Sequence, residues 1–373
     1  MTTAFNPHRL IVQARSALAT QAFAGIATLL CVAACSSGGP NSEPAIEQGL
    51  HATIGPEGGE LVGQPGSAFA GVHLSIPQGA LSEPTEISVA PTSALNPLPK
   101  GAVGCGPEFL IQPAGIKLAA PASLTLPFDE TTVSDNHRFD DQVLVWAVQD
   151  GKWGQQAQLD SAEGSVTVEL NELNGVGAGV KPPTDAELVS FDFAPNPKFL
   201  DCLAAYPGDP ARAPKVQALV VRGDLNDGLF LYGEYVKPGL KFDMFTVENS
   251  ALLANKTPDP QFKNFGLAWY QSDLEANKRG IMRASIRTIL LDQIFGFDPN
   301  VQLPPTGTFQ VGFWFNDPAD AAACGFDVSK PTPFNGEHQA GPLAMISVPN
   351  AETGLGPLCT KPDTSTTPAH CSP

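Results

Sequence analysis

Residues 74–91 have the sequence LSIPQGALSEPTEISVAP, which predicts two β-strands joined by a tight connection. Apolar and polar residues alternate over residues 72–76 and again over 85–89, as in strands with one buried face. Between them, Pro77 and Gly79 end the first strand, because proline lacks an N–H for the ladder and glycine accepts turn conformations. The stretch therefore predicts β-structure built from short strands.

The same pattern continues on both sides of this stretch. Glycine and proline, 36 residues of each, are spread between the short apolar runs rather than clustered. That distribution is typical of turns in all-β domains and not of disorder. The further strand-like runs lie at residues 109–111, 122–126, 143–148 and 165–170. Strands at this spacing, without a helical period, predict a β-sandwich or barrel.

Four segments together resemble the ZU5 domain. They are GPEGG at residues 55–59, the stretch at 74–91, GPEFLIQPAGIKLAAPASLTLPFD at 106–129, and the strand around Trp146. The most specific part is I-P-x-G-A-L at residues 76–81. ZU5 domains are β-sandwich modules of ankyrins, netrin receptors and many bacterial surface lipoproteins. The resemblance covers residues 51–180 and implies a protein-interaction or spacer module, although a fold alone does not fix a function.

Some members of this family cut their own chain at a His-Phe-Ser in a late strand. Here the corresponding residues, 171–174, are Asn-Glu-Leu-Asn. Neither the general base nor the nucleophile is present, so the resemblance does not imply self-cleavage.

A second β-sandwich domain is predicted over residues 188–359, after a linker at 181–187 that two prolines stiffen. The Asp-Gly pair at residues 227–228 predicts a hairpin turn. Residues 281–289 are compatible with strand or helix, and their β-branched content favours a strand. The other strand-like runs are residues 216–221, 229–236, 240–247, 265–271, 308–315 and 343–348. The polar residues 360–373 predict a loose tail.

The N-terminal segment carries a targeting signal. Arg9 and Arg15 precede the apolar run AFAGIATLLCVAAC at residues 22–35, and the first acidic residue is Glu43. A positively flanked apolar run of about a dozen residues predicts a secretory signal peptide rather than a permanent membrane span.

This apolar run ends in Val-Ala-Ala-Cys, which resembles the bacterial lipobox. We therefore expect residues 1–34 to be removed, Cys35 to be lipidated and residues 35–50 to form a tether. The alternative is an ordinary signal peptide cut after an A-x-A sequence. With the lipid anchor, the protein is predicted to be extracytoplasmic, held at the outer membrane or cell surface.

The charge of the chain restricts its partners. Lysine and arginine total 21 against 38 acidic residues, a net charge of −17. Such a chain does not neutralise phosphates, which argues against a nucleic-acid partner. The partners that remain are the membrane, reached through the lipid anchor, and an envelope protein or polysaccharide.

The cysteines predict disulfides in the second domain. Four of them, Cys202, Cys324, Cys359 and Cys371, follow the linker, in a chain predicted to be exported. Four cysteines allow three connectivities. The first choice is Cys324–Cys359, whose members bracket the run at 343–348, and the second is Cys202–Cys371. Cys105 is then left over.

No catalytic or cofactor-binding motif occurs, so neither a catalytic residue nor a cofactor or metal is predicted. Residues 224–228 are similar to a calcium loop, but the closing glutamate is missing, and a turn is favoured. For Asp129, Glu130, Asp135, Asp140 and Asp141, a solvated loop is favoured over weak calcium binding. Trp269, Tyr270 and Trp314 are assigned to the core by alternation, against a sugar-stacking face. The sequence thus predicts a non-catalytic binding or structural module of the envelope, with carbohydrate binding or hydrolysis in the second domain as the alternative.

Overall fold

The computed structural model of the protein describes residues 49–372, apart from 94, 96, 225, 292–299, 301–305 and 333–338. The predicted signal peptide, Cys35 and the tether up to residue 48 lie outside the described residues. Nearly all regular structure is β, which confirms the predicted fold class. The chain divides into two compact units between Pro182 and Pro183, within the segment predicted as a linker.

The described residues of the first unit form twelve strands and two short helical segments. The helical segments are the α-helix Glu130–Asp135 and the 3-10 helix Asp140–Gln142. The strands are β1 (Leu50–Ile54), β2 (Gly59–Val62), β3 (His73–Ile76), β4 (Thr85–Pro91), β5 (Val103–Gly104), β6 (Phe109–Gln112), β7 (Ile116–Pro127), β8 (Leu144–Gln149), β9 (Lys152–Gln155), β10 (Gln158–Ala162), β11 (Ser165–Leu173) and β12 (Gly175–Val180).

These strands form two antiparallel sheets. One sheet has the order β1-β4-β6-β12-β8-β9, with β5 also pairing with β12, and the other has the order β10-β11-β7-β3-β2. Alternate residues of both sheets meet in one apolar cluster, in which Leu74, Ile87, Phe109 and Leu124 are fully buried. The unit is a β-sandwich, as the alternation predicted.

Residues 77–84 carry the chain from one sheet to the other, because β3 and β4 belong to different sheets. Ala80 and Leu81 are buried in the core that both sheets share. Gly79 has φ +80°, which a glycine adopts without strain. A Cβ on Gly58 would lie 2.6 Å from the carbonyl oxygen of Ile76, so this close approach requires glycine.

In the second unit, the part of the chain that the structure describes forms ten strands and several short helical segments. The helical segments are Asp185–Glu187, Pro197–Phe199, Leu200–Leu203, Pro210–Arg212 and Pro318–Cys324. The strands are β13 (Leu188–Pro195), β14 (Lys215–Val221), β15 (Asp227–Glu234), β16 (Lys241–Val247), β17 (Ala268–Glu275), β18 (Met282–Thr288), β19 (Gln310–Phe315), β20 (Leu343–Ser347), β21 (Pro362–Asp363) and β22 (His370–Cys371).

Eight of these strands form one antiparallel sheet with the order β17-β16-β19-β20-β13-β14-β15-β18. The sheet curls, because its two end strands meet again: Ala276 forms a bridge with Met282, and the Thr288 hydroxyl donates to Gln271 Oε1 at 2.6 Å. The arrangement is barrel-like, with one curled sheet where two separate sheets were expected. The strand favoured for residues 281–289 is confirmed as β18.

The curled sheet buries apolar side chains on both faces. The inner face holds the larger cluster, including Phe242, Phe313 and Phe315. On the outer face, Trp314 is fully buried and its ring centroid lies 5.5 Å from that of Phe245 and 4.9 Å from that of Phe265. The connection between β16 and β17 supplies Phe265 and covers this smaller cluster.

The core packing predicted for Trp314 is confirmed, but the prediction for Trp269 and Tyr270 is wrong. These two side chains are 39% and 55% exposed. They lie on the end strand β17, beside a bulge in which Gln271 is the extra residue. β17 is an end strand of the described sheet, and the Tyr270 ring contacts that of Phe245 at a centroid distance of 5.6 Å, while much of both side chains stays open to solvent.

The disulfide pairs differ from both expected pairings. Cys202 bonds Cys324, with their Cα atoms 6.1 Å apart, and Cys359 bonds Cys371, with 5.7 Å between Cα atoms. Cys324–Cys359 and Cys202–Cys371 are thereby corrected. The reason is the packing of the helical segments Leu200–Leu203 and Pro318–Cys324 against the inner cluster, which a prediction made of strands alone omits.

The segment expected to be a loose tail also differs from its prediction. Strands β21 and β22 pair antiparallel through Pro362–Cys371 and Asp363–His370. The Cys359–Cys371 disulfide closes this hairpin, so the C-terminal residues up to 372 are part of the second unit.

One buried carboxylate anchors the segment that follows β18. Asp227 is 4% exposed, and its Oδ2 accepts hydrogen bonds from the backbone N–H groups of Leu290 and Leu291 at 2.9 and 2.7 Å. Leu290 and Leu291 thereby pack into the inner cluster. The residue that suggested a calcium ligand therefore acts as a structural acceptor.

We expect the two disulfides to contribute unequally to stability. On the chain-entropy model, closing the 122-residue separation of Cys202–Cys324 stabilises by about 5 kcal/mol, and closing the 12-residue separation of Cys359–Cys371 by about 3 kcal/mol. Denaturant unfolding of the two double Cys→Ser variants measures both values. A cross-linked peptide containing Cys324 and Cys359 from the unreduced protein would contradict the pairing.

Replacing Asp227 with Ala should destabilise the second unit by about 2–3 kcal/mol, because two buried N–H groups lose a charged acceptor. Asp224→Ala is the matched control, because Asp224 is exposed and lies in the same loop, four positions before Gly228. It should leave the unfolding midpoint unchanged. Equal effects of the two variants, or stabilisation of the wild-type protein by added calcium, would indicate an ion-binding loop instead.

Candidate functional site

An open groove with a volume of about 1130 Å³ lies on the second unit. Four separate segments line it: the connection after β16, the start of β19, the loop after β20 and the C-terminal hairpin. Their lining residues fall within residues 248–264, 307–310, 349–356 and 368–372. The groove is the candidate binding site of the protein.

Side-chain acceptors hold the first wall of the groove in place. Glu248 Oε2 accepts from the N–H of Leu267 at 2.7 Å, and Asp259 Oδ1 accepts from the N–H of Gln261 at 2.8 Å. Short polar residues stabilise turns by such bonds to the backbone. The connection is therefore a fixed wall, although it contains no helix or strand of its own.

The opposite wall is held by Asn350 and by the C-terminal hairpin. Asn350 Oδ1 accepts from the N–H groups of Glu352 and Thr353 at 2.9 and 3.0 Å. The N–H of Leu358 donates to the carbonyl of Phe309, which ties the loop to β19. The Cys359–Cys371 disulfide then fixes the hairpin against this loop.

Gln310 is the buried polar residue that lines the groove. It is 3% exposed, and its Oε1 accepts a hydrogen bond from the Ser347 hydroxyl at 2.8 Å. Ser347 Oγ in turn accepts from the N–H of Val311 at 3.0 Å, so the hydroxyl hydrogen is directed to Gln310. This arrangement fixes the orientation of the amide. Its Nε2 hydrogens have no acceptor among the described residues.

The rim of the groove offers further unpaired polar groups. Within residues 49–372 as described, the side chains of Gln261 and Lys263 make no hydrogen bond or ion pair, and Glu248 uses only Oε2. Phe262, which lies between Gln261 and Lys263 in the sequence, is half-buried, and its ring centroid is 4.8 Å from that of Phe265. The groove thus combines two phenylalanine rings, Phe262 and Phe309, with several amide and charged groups.

His370 lies at one end of the groove in an arrangement similar to a hydrolase triad. Its Nδ1 is 3.0 Å from Thr366 Oγ1, and its Nε2 is 3.3 Å from Asp363 Oδ2. However, the Thr366 hydroxyl donates its hydrogen to the carbonyl of Pro368 at 2.9 Å. An activated nucleophile must give that hydrogen to the histidine, so the arrangement fastens the hairpin rather than preparing a reaction.

The acidic cluster of the first unit includes a helix cap. Asp129 Oδ1 accepts from the N–H of Thr131, and Asp129 Oδ2 accepts from the Thr132 hydroxyl. These bonds hold the pKa of Asp129 below its usual value. Burial raises the pKa of Asp140, and the charges of Glu163 and Asp141 raise it further. The described residues contain no group of three or more His, Cys, Asp or Glu side chains placed to hold a metal ion.

The remaining predicted positions carry no reactive arrangement. Burial raises the pKa of the Cys105 thiol to about 12, so it stays protonated and inert. Residues 171–174 cover the end of β11 and the residue after it; Asn174 Nδ2 donates to Glu172 Oε1 at 3.3 Å, and the stretch holds neither a histidine nor a hydroxyl. Trp269 and Tyr270 do not line the groove. Sequence reasoning missed the groove, for which the Asn- and Asp-rich connection after β16 was the available signal.

The pKa shifts of Asp129 and Asp140 predict opposite effects of removing their charges. Asp129→Asn should lower the thermal midpoint at neutral pH, because a carboxylate with a lowered folded pKa stabilises above its unfolded pKa. Asp140→Asn should raise the midpoint, because the raised folded pKa shows that ionisation opposes folding. Both differences should shrink at acidic pH, where both carboxyls are protonated. A midpoint lowered by both substitutions would contradict the assignment.

Comparison with known families supports the nature of the first unit. The ZU5 domain model matches residues 50–140, which include β1 to β7, the crossing at residues 77–84 and the helix Glu130–Asp135. A search of curated proteins finds no significant match to the chain. Within the described part of the chain, no helix combines the length and the apolar character that crossing a membrane requires. The first unit therefore contains a ZU5-type domain, a kind of module associated with protein interaction or structural support.

Proposed function

We propose that the protein is a lipid-anchored binding module of the cell envelope, without catalytic activity of its own. The observation that carries this proposal is the groove of the second unit. Its unpaired groups are amides, an ammonium and a carboxylate oxygen. Its histidine, His370, contacts the hydroxyl of Thr366, which donates its hydrogen to the carbonyl of Pro368. Such a lining binds a ligand by hydrogen bonds but offers no activated nucleophile.

The anchor follows from the N-terminal sequence. The small residues before Cys35 suit a lipoprotein signal peptidase, and Ser-Ser-Gly-Gly follows the cysteine. The segment between Cys35 and β1, which begins at Leu50, spans at most about 50 Å when extended. The length of this segment therefore limits how far the first unit can lie from the membrane surface.

The envelope location agrees with two properties of the described chain. Both disulfides of the second unit persist only where thiols are oxidised, outside the cytoplasm. The net charge of −17 keeps an exported protein soluble and repels anionic headgroups, so the lipid is the contact with the membrane. A ZU5-type unit next to a unit with a groove suits a protein that displays a binding surface.

Replacing Cys35 with Ala should abolish membrane attachment, because several acyl chains at about 0.8 kcal/mol per buried CH₂ make the anchor effectively permanent. We expect an uncut precursor or a protein in the aqueous phase of a detergent partition, and wild-type protein in the detergent phase. Cys31→Ala, inside the apolar run, is the matched control and should be processed normally.

Mass spectrometry of the mature N-terminus gives a second readout. A diacylglyceryl-modified Cys35 is expected on the wild-type chain. Unchanged partitioning of the Cys35→Ala variant, or an unmodified N-terminus on the wild-type protein, would show that an ordinary signal peptide is present and would exclude the anchor.

A further inference from the structure

From the lining of the groove we infer that it binds a neutral saccharide chain, with Phe262 as the stacking surface and Gln310 as the fixed donor. This inference rests on the proposed function only in giving the second unit a binding role. It concerns the class of ligand, which the fold of the first unit leaves open.

Gln310 supplies a fixed hydrogen-bond donor in the lining of the groove. Because the Ser347 hydroxyl donates to Gln310 Oε1, the two Nε2 hydrogens are the groups of this amide that can still bond a ligand. Nε2 is not among the fully buried side-chain atoms that lack a hydrogen-bond partner, so it contacts the solvent of the groove, where a ligand acceptor can replace water. A sugar hydroxyl or ring oxygen can take that place, since both accept hydrogen bonds.

The rim of the groove carries both hydrogen-bond donors and hydrogen-bond acceptors. Gln261 can donate and accept, Lys263 can only donate, and Glu248 Oε1 can only accept. A sugar hydroxyl does both, so it satisfies any of the three groups. The rim carries charges of both signs, from Glu248, Asp259 and Lys263, which does not favour an anionic or a cationic ligand.

Phe262 provides an aromatic face in the lining of the groove. Phe262 packs against Phe265 at a centroid distance of 4.8 Å, which fixes the ring while leaving it half-buried. The axial C–H groups of a sugar ring form an apolar surface of matching size. A ring held by a neighbouring ring offers that surface without losing side-chain freedom on binding.

The size and form of the groove favour a chain of sugars. Pockets for compact ligands measure about 300–1,000 Å³, and this groove is larger and open to solvent. An extended peptide adds to a sheet through an unpaired strand edge. The lining segments of this groove are mainly loops and β19 is paired on both sides, while the other lining strand, β22, is only two residues long, which is too short for an extended peptide to add to it.

The test uses full-length protein purified in detergent, run in native gels that contain dextran, laminarin, xylan or mannan. Retardation by at least one of these polysaccharides is expected, and it should persist at high NaCl. Phe262→Ala and Gln310→Leu should each weaken binding by about tenfold, which corresponds to the loss of one stacked ring or one fixed donor. Gln261→Ala, at an exposed position, tests the rim without disturbing the core.

Tyr270→Ala is the matched control, because it removes an exposed ring of the same unit outside the groove. It should leave retardation unchanged, and thermal midpoints should show that all variants are folded. Three results would overturn the inference: no retardation by any of the four polysaccharides, retardation lost at high NaCl, or displacement by peptides from digested casein. The measurement does not depend on the anchor, so a failure of the Cys35 assignment is distinguishable from a failure here.

Discussion

The first unit depends on the crossing of the chain from one sheet to the other at residues 77–84. A sandwich core forms only if the chain contributes apolar residues to it from two facing sheets. The crossing achieves this in eight residues, with Ala80 and Leu81 filling the core while the chain changes sheets. The N–H of Ala119 donates to the carbonyl of Ala80 at 3.0 Å, which attaches the crossing to β7. A longer or polar connection at this place would leave a gap between the sheets.

The second unit encloses its apolar core with one curled sheet instead of two facing sheets. Its end strands β17 and β18 follow each other in sequence, so the turn between them closes the curl at one end. The chain of hydrogen bonds from Thr246 through Gln271 to Thr288 bridges the strands farther along. Gln271 reaches both threonines because it is the extra residue of the bulge in β17. Asp227 then draws Leu290 and Leu291 into the inner cluster, where they complete the apolar packing.

Sequence reasoning succeeded where the information is local. Alternation predicted β3 and β4, and β-branched content favoured β18, because these signals follow from a strand's own residues. It failed where a partner lies far along the chain. Cys202 and Cys324 are 122 residues apart, and their pairing depends on how two short helical segments pack. The exposure of Trp269 and Tyr270 depends on β17 being an end strand, which alternation does not reveal. The groove has four lining segments from separate parts of the chain, so no single stretch predicted it.

The construction of the groove bears on how it recognises a ligand. Loops without regular structure ordinarily lose conformational freedom on binding, which lowers affinity. Here Glu248, Asp259 and Asn350 fix the backbone of the two walls, and a disulfide holds the hairpin at the end. The backbone of the two walls therefore loses its conformational freedom when the protein folds, and not when a ligand binds. The side chains of Gln261 and Lys263, by contrast, remain unbonded within the described chain. A rigid backbone with adaptable polar side chains suits a ligand of repeated hydroxyl groups, for which position along the groove matters less than the number of hydrogen bonds formed.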